Sequence, residues 1–160
     1  MLITFVVSCE KDDICPDGTP TTAQLVVRFY DANIPDDLKT VSNLALYALD
    51  DLDQAVFFES IESRDSIAIP LRTDTNITRL VFHKDLLDLG DLTAGNPDNV
   101  AINYTREDVY VSRACGFKTV FDLQNTNITT DADNWISSIE IINENSTIEN
   151  ENSAHIKVFH

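Results

Sequence analysis

Apolar and polar residues alternate along most of the chain after residue 22. The segment that begins at Leu25, for example, places Leu25, Val27 and Phe29 on one face. A period of two is typical of half-buried antiparallel strands. The same pattern predicts that the following residues also point inward: Leu44, Leu46, Ala48, Ile67, Ile69, Leu71, Leu80, Phe82, Val100, Ile102, Tyr104, Val109, Val111, Ile139, Ile141, Ile156 and Val158.

These segments predict seven to nine short strands. No stretch of twelve or more residues keeps a 3.6-residue period cleanly, so no long helix is expected. Short strands separated by turn signals favour an all-β fold, a single antiparallel β-sandwich that is immunoglobulin-like or related, over residues 23–160. Residues 143–153 are predicted to form a long hairpin connection, and residues 85–99 a second long loop.

Single residues refine this prediction. Pro70 places its strand at a sheet edge, because proline cannot donate to the hydrogen-bond ladder. Gly116 suggests a bulge in the apolar strand that would carry Cys115. The charged residues 106–108 indicate a turn between two strands, in which Arg106 pairs with nearby charges or with backbone.

Composition limits the partners. A length of 160 residues suits one domain, and 43% hydrophobic residues can form an ordinary core. The 11 Lys and Arg against 27 Asp and Glu give a net charge of −16. A field of that sign repels phosphate backbones, so nucleic acid is not an expected partner. It also argues against binding anionic lipid headgroups through basic patches.

The start of the chain indicates where the protein resides. Residues 2–7 are wholly apolar but too few to span a bilayer, so they are either a buried strand or the tail of a secretory signal. Val6-Val7-Ser8-Cys9 resembles a bacterial lipobox, in which the cysteine is acylated after cleavage. We therefore interpret residues 1–8 as a truncated signal and lipobox segment, Cys9 as the lipidation site, and residues 9–22 as an acidic tether and linker.

The residues after Cys9 bear on the destination. Glu10, Lys11, Asp12 and Asp13 resemble the acidic export signal of surface-exposed lipoproteins in the Bacteroidota. The alternative is a flexible acidic spacer. The resemblance implies a cell-envelope location as an outer-membrane lipoprotein exposed at the surface, with the membrane as a partner through the lipid anchor.

If Cys9 carries lipid, two cysteines remain. An oxidising exterior permits Cys15 and Cys115 to form a disulfide. A bridge across about 100 residues would contribute about 4.7 kcal/mol in the chain-entropy model, and it would clamp the end of the tether to a late strand. The alternative is two free buried thiols.

A resemblance covers nearly the whole chain after Cys9. Residues 9–31, 65–73, 102–121 and 150–160 together, in this order, resemble a family of small Bacteroidota lipoproteins of unknown function. The resemblance implies a single lipid-anchored domain and no known activity.

No set of residues predicts catalysis, a cofactor or a metal. His155 and His160 flank the last strand five residues apart, so strand alternation directs them to opposite faces. His83 ends an apolar run and is expected to face solvent. A G-x-S-x-G nucleophile elbow is absent from the sequence. Trp135 is expected in the core or as a cap on one end of the sandwich.

Acidic residues cluster at 50–53 and 85–91, but neither run fits a calcium-binding loop. We expect hydrated loops, with weak calcium binding as the alternative. The sequence thus predicts a non-enzymatic binding or accessory module whose protein or glycan partner is unknown. An envelope hydrolase with a site built from loops, and a structural subunit of an envelope complex, are the alternatives.

Overall fold

The computed structural model describes residues 14–19, 21–49, 55–57 and 60–160. This part of the chain contains eleven strands and one turn of 3-10 helix. The strands are β1 (Leu25–Tyr30), β2 (Val41–Leu49), β3 (Ala55–Phe57), β4 (Glu62–Arg64), β5 (Ser66–Ile69), β6 (Ile77–Lys84), β7 (Asn96–Ser112), β8 (Gly116–Ile128), β9 (Ser138–Ile141), β10 (Thr147–Ile148) and β11 (Ile156–Phe159), and the 3-10 turn is Asn143–Asn145.

The strands form two sheets. The smaller sheet has the order β5-β1-β11-β9, and the larger has the order β10-β8-β7-β6-β2-β3, with β4 also paired to β2. The predicted all-β sandwich is therefore confirmed. The structure has more strands than the seven to nine expected, because β3, β4 and β10 are only three, three and two residues long. Pieces this short leave no alternation in the sequence.

Side chains from both sheets form one hydrophobic core, and most predicted inward positions lie in it. Ala48, Ile139 and Ile141 are partly buried and pack against this core. Val109 and Val111 are only half-buried. The predicted positions that are buried in the core are Leu25, Val27, Phe29, Leu44, Leu46, Ile67, Ile69, Leu71, Leu80, Phe82, Val100, Ile102, Tyr104, Ile156 and Val158.

The smaller sheet departs from a purely antiparallel sandwich. β1 and β11 run parallel, with Val27 opposite Ile156, whereas β5 and β9 pair antiparallel to their neighbours. This brings the first and last strands of the domain together, a long-range pairing that alternation cannot reveal. β5 lies at the sheet edge and ends directly before Pro70, as predicted.

Two connections were predicted as loops. Residues 143–153 join the antiparallel neighbours β9 and β11, and they also supply β10, whose buried Ile148 lies opposite Phe121 in the larger sheet. The loop after β6 is shorter than the predicted 85–99, because β7 begins at Asn96.

The β7–β8 hairpin extends beyond its neighbours. Pairing of β6 with β7 ends at Asn103, and pairing of β10 with β8 begins at Phe121. We call residues 107–120 the hairpin arm. Two predictions were wrong here. Residues 106–108 lie within β7 and form no turn, and Cys115 lies in the tight turn between the strands. The register shifts next to Gly116, whose φ of 73° suits glycine at a turn.

Candidate functional site at the tip of the hairpin arm

The base of the arm is fixed to the sandwich by Arg106. Its guanidinium donates hydrogen bonds to the backbone oxygens of Thr73 and Asp74 and to Oδ1 of Asn76, the last two at 3.0 Å. One planar side chain therefore holds the loop before β6 against β7. This supports the structural interpretation of Arg106, through bonds to backbone within a strand.

The middle of the arm holds the N-terminal segment. The backbone N–H of Thr119 donates to Oγ1 of Thr22 at 2.9 Å, on the edge of β8 that faces away from β7. The hydroxyl of the same Thr119 donates to Oδ1 of Asp108 across the ladder at 2.8 Å. The chain that leads into β1 is thus attached to the free edge of the arm.

The tip of the arm is joined to the same segment by a disulfide. Cys15 is bonded to Cys115 with an S–S distance of 2.00 Å and a Cα–Cα distance of 4.8 Å. Cys115 also donates its backbone N–H to Oγ of Ser112, which closes the turn. The structure therefore contains the predicted bridge. It joins the segment before β1 to the turn of the hairpin, a different place from the late strand that was expected.

A cleft of about 410 Å³ lies between the tethered segment and the tip. Its lining residues are Ile14, Pro16, Thr19, Val111, Ser112, Arg113, Ala114 and Cys115. This lining combines small, apolar and cationic side chains with a cysteine already held in the disulfide. The cleft therefore offers a contact surface, and the described residues that line it include no histidine or carboxylate that could transfer a proton.

The arm also presents two aromatic rings to solvent. Tyr110 and Phe117 lie opposite each other across the ladder, with ring centroids 5.5 Å apart and planes at 69°. They are 60% and 67% exposed. Strand alternation places them on the same face as the buried pair Tyr104 and Leu123. Arg106, Asp108 and Thr119 lie on this face between the two pairs, so the exposed rings form a separate apolar patch next to the turn of the hairpin.

His83 lies elsewhere, and the prediction that it faces solvent was wrong. Its ring is fully buried, with Nε2 2.6 Å from the backbone oxygen of Ala94 and Nδ1 3.3 Å from the hydroxyl of Tyr47. A side chain at Gly95 would come within 2.9 Å of the ring, so the loop after β6 packs closely over it. Burial raises the pKa of the Tyr47 hydroxyl. His83 thus anchors a loop.

His155 and His160 also serve the fold. Nδ1 of His155 accepts the backbone N–H of Val26 at 2.9 Å, and burial lowers the pKa of this ring. His160 lies 5.5 Å from the ring of Trp135, and burial lowers its pKa as well. Within the described ranges, no three His, Cys, Asp or Glu side chains gather where they could hold a metal ion.

Sequence reasoning missed Asp98, a fully buried carboxylate at the start of β7. Its Oδ2 accepts the backbone N–H of Ile136 at 2.7 Å, and its Oδ1 accepts the side-chain amide of Asn134 at 3.1 Å. Burial raises its pKa despite these bonds. Asp98 lies two residues before Val100 in the same strand, so alternation directs both side chains to the same face. This signal could have predicted that Asp98 is buried.

Asp98 thereby shapes the loop that carries Trp135. This ring packs against Phe29 with centroids 6.4 Å apart and donates Nε1–H to the backbone oxygen of Phe82. The sequence predicts Trp135 in the core or as a cap on one end of the sandwich, and its ring is partly buried and packs against the core. It lies at the end of the sandwich where β7 begins, opposite to the tip of the arm.

The remaining predicted sites divide in two. The acidic run 85–91 forms turns, in which Oδ1 of Asp88 accepts the N–H of Gly90 and Oδ1 of Asp91 accepts both the N–H and the hydroxyl of Thr93. These bonds from Thr93 lower the pKa of Asp91. The acidic run 50–53, Cys9 and residues 10–13 lie outside the described residues. The described chain contains no helix long and apolar enough to cross a bilayer.

Fold and site together define a β-sandwich domain with a protruding, disulfide-stapled hairpin. Residues 43–160 match a family described as a family of unknown function (DUF6452), and the chain belongs to this family. The matched region includes Cys115 but not Cys15. No curated protein matches the chain. No solved structure matches it either.

Proposed function

We propose that this protein is a lipid-anchored accessory or binding module of the cell envelope, without catalysis, held at the membrane by acylated Cys9. The observation that carries the proposal is the bond between Cys15 and Cys115. It fixes the chain six residues after Cys9 to one defined point of the domain, the tip of the arm. Because the segment after the anchor is covalently bonded to the domain, it would determine the orientation of the domain relative to the membrane.

The reach of the tether supports this arrangement. Six extended residues span at most about 22 Å, so acylated Cys9 would keep the tip of the arm close to the bilayer. β7 has 17 residues and would extend roughly 55 Å from the tip towards the end capped by Trp135. The far end of the sandwich would then face away from the membrane, where it could meet a protein or glycan partner.

The charge and anchor chemistry fit the same proposal. Several acyl chains on one cysteine give stable anchoring, whereas one chain alone gives only marginal binding. The acidic residues 10–13 would act as a hydrated spacer and as the export signal for the outer surface of an outer membrane. A net charge of −16 keeps the body hydrated and soluble outside the bilayer.

The roles of the buried polar residues favour binding over catalysis. The rings of His83 and His155 hydrogen-bond the backbone of neighbouring segments, and Asp98 accepts two bonds from one loop. These groups are engaged in holding loops and strands together. The alternative of an envelope hydrolase gains no support from them.

Metabolic labelling tests the anchor. The full-length precursor, with any upstream signal sequence, is expressed in its host with radiolabelled palmitate. We expect label in the wild type and in the matched control Cys15→Ala, and none in Cys9→Ala, which should also leave the membrane fraction. A Cys9→Ala protein that stays labelled and membrane-bound would refute the proposal.

Protease treatment of intact cells tests the surface location. An outward-facing domain is degraded without lysis, whereas a periplasmic reporter in the same cells survives. Protection of the domain until lysis would place it on the inner leaflet and would contradict the role assigned to residues 10–13.

A further inference from the structure

We infer that the tip of the hairpin arm contacts the lipid surface directly, with Tyr110, Phe117 and Ile14 entering the interfacial region of the bilayer. This inference rests on the proposed lipid anchor at Cys9. It goes further, because it gives the arm a contact of its own and so fixes the orientation of the sandwich on the membrane.

Exposed apolar side chains are present at this tip. The described residues include eight large hydrophobic side chains that are exposed, and three of them belong to the arm or to the segment stapled to it. Ile14 is 77% exposed, Phe117 67% and Tyr110 60%. The other five, Ile34, Leu38, Val56, Leu87 and Leu89, lie in loops or in the short strand β3.

The position of these side chains relative to the anchor points to lipid as the occupant. Ile14 lies five residues after Cys9, a distance of at most about 18 Å when extended. The disulfide then brings the turn of the hairpin to the same place. Any domain held in this way would keep the aromatic pair next to the bilayer surface.

The chemistry of the tip also suits the interface between lipid and water. Tyrosine is enriched there, because its ring is apolar and its hydroxyl remains hydrated. Residues 109–118 contain no Asp or Glu, in a chain that has 27 of them, so no carboxylate of these ten residues would have to leave water. Arg113 and Lys118 can extend their charged ends towards lipid phosphates while their stems cover apolar surface.

The single tryptophan provides an internal control for the test. Trp135 caps the opposite end of the sandwich and should stay far from lipid. We therefore compare the acylated wild type with Phe117→Trp and with Leu87→Trp, an exposed site in the loop after β6. All three are bound to phosphatidylcholine vesicles with brominated acyl chains, which quench tryptophan on contact.

The inference predicts quenching of the added fluorescence in Phe117→Trp, and none in Leu87→Trp or the wild type. If Phe117→Trp floats with the vesicles but is not quenched, the lipid contact is refuted while the anchor stands. If none of the acylated proteins floats, the anchor fails instead.

A second experiment does not depend on acylation. The unacylated Cys9→Ser chain should bind the same vesicles weakly, and Tyr110→Ser with Phe117→Ser should reduce this binding about tenfold or more, because two apolar rings are lost. Equal binding of the two chains would overturn the inference. Self-association of Cys9→Ser that the double substitution abolishes would also overturn it, since the rings would then bind a second copy.

Discussion

The body of the sandwich and the hairpin arm share the strand β8, which allows a direct comparison. Phe121 and Phe117 lie on the same face of this strand, four residues apart. Phe121 is fully buried, with its ring 5.1 Å from that of Tyr104. Phe117 is mostly exposed and contacts Tyr110. One strand thus passes from a two-layer core into a single layer that is open to solvent.

The two regions are stabilised in different ways. In the body, buried apolar area supplies the main favourable free energy, and buried polar groups such as Asp98 and His155 are satisfied by backbone. In the arm, the β7–β8 ladder, the Arg106 contacts and the Cys15–Cys115 bond provide the order. The rings of Tyr110 and Phe117 are therefore accessible for contacts outside the domain, because the core does not cover them.

The largest expected effect is in the body. Phe121→Ala removes a buried ring and leaves a cavity, so the free energy of unfolding should fall by about 3–5 kcal/mol. Urea denaturation monitored by circular dichroism measures this loss. A loss below about 1 kcal/mol would show that Phe121 is not part of a packed core.

Loss of the disulfide should have the next largest effect. The double substitution Cys15→Ser with Cys115→Ser should lower the free energy of unfolding by about 2–4 kcal/mol, because the unfolded chain is no longer cross-linked over a long loop. Hydrogen exchange should show faster exchange at Thr119 in the arm than in the wild type. If the free energy of unfolding and the hydrogen exchange at Thr119 are both unchanged, the disulfide constrains neither the folded nor the unfolded chain.

Acid should destabilise the body through its buried histidines. Burial lowers the pKa of His155 and of His160 in the folded state, whereas an unfolded histidine titrates near 6.5. Below that pH the unfolded chain binds more protons, so the free energy of unfolding falls by up to about 1.4 kcal/mol per pH unit for each ring. It keeps falling until the pH reaches the folded pKa.

His155→Gln isolates one ring, since its amide oxygen can still accept the N–H of Val26. Its stability should change less between pH 7 and pH 5 than that of the wild type. Denaturation curves at the two pH values measure this change. If the free energy of unfolding falls equally in the variant and the wild type, His155 does not contribute to the acid sensitivity.

The smallest effect is expected in the arm. Phe117→Ala should change the free energy of unfolding by no more than about 0.5 kcal/mol, because the ring is already exposed. The comparison with Phe121→Ala is matched in residue type, strand and face. Similar losses for both variants would mean that Phe117 is covered in solution and that the arm belongs to the core.

Much of the body could be predicted from local pattern. Alternation placed Leu25, Val27 and Phe29 inside, and Pro70 correctly marked an edge strand. Both signals act within one strand, where the physics is local: a pleat directs alternate side chains inward, and proline lacks a donor.

The features that the sequence did not predict depend on contacts between residues that are distant in the chain. His83 is buried because the loop after β6 folds back over it, and β1 pairs in parallel with β11 from the other end of the chain. Residues 106–108 are all exposed, so both faces of β7 meet solvent there and a strand can carry three consecutive charges. The apolar residues around Cys115 suggested a strand where the chain in fact turns.

One mass measurement, on the protein purified from membranes under non-reducing conditions, tests at once whether Cys9 is acylated and whether Cys15 is bonded to Cys115. Cleavage after arginine leaves residues 9–28 and 114–160 as separate peptides. The account predicts that they are found as one disulfide-linked species, which begins at Cys9 and carries the mass of its acyl chains. An unacylated peptide that extends upstream of Cys9, with free thiols at Cys15 and Cys115, would contradict it.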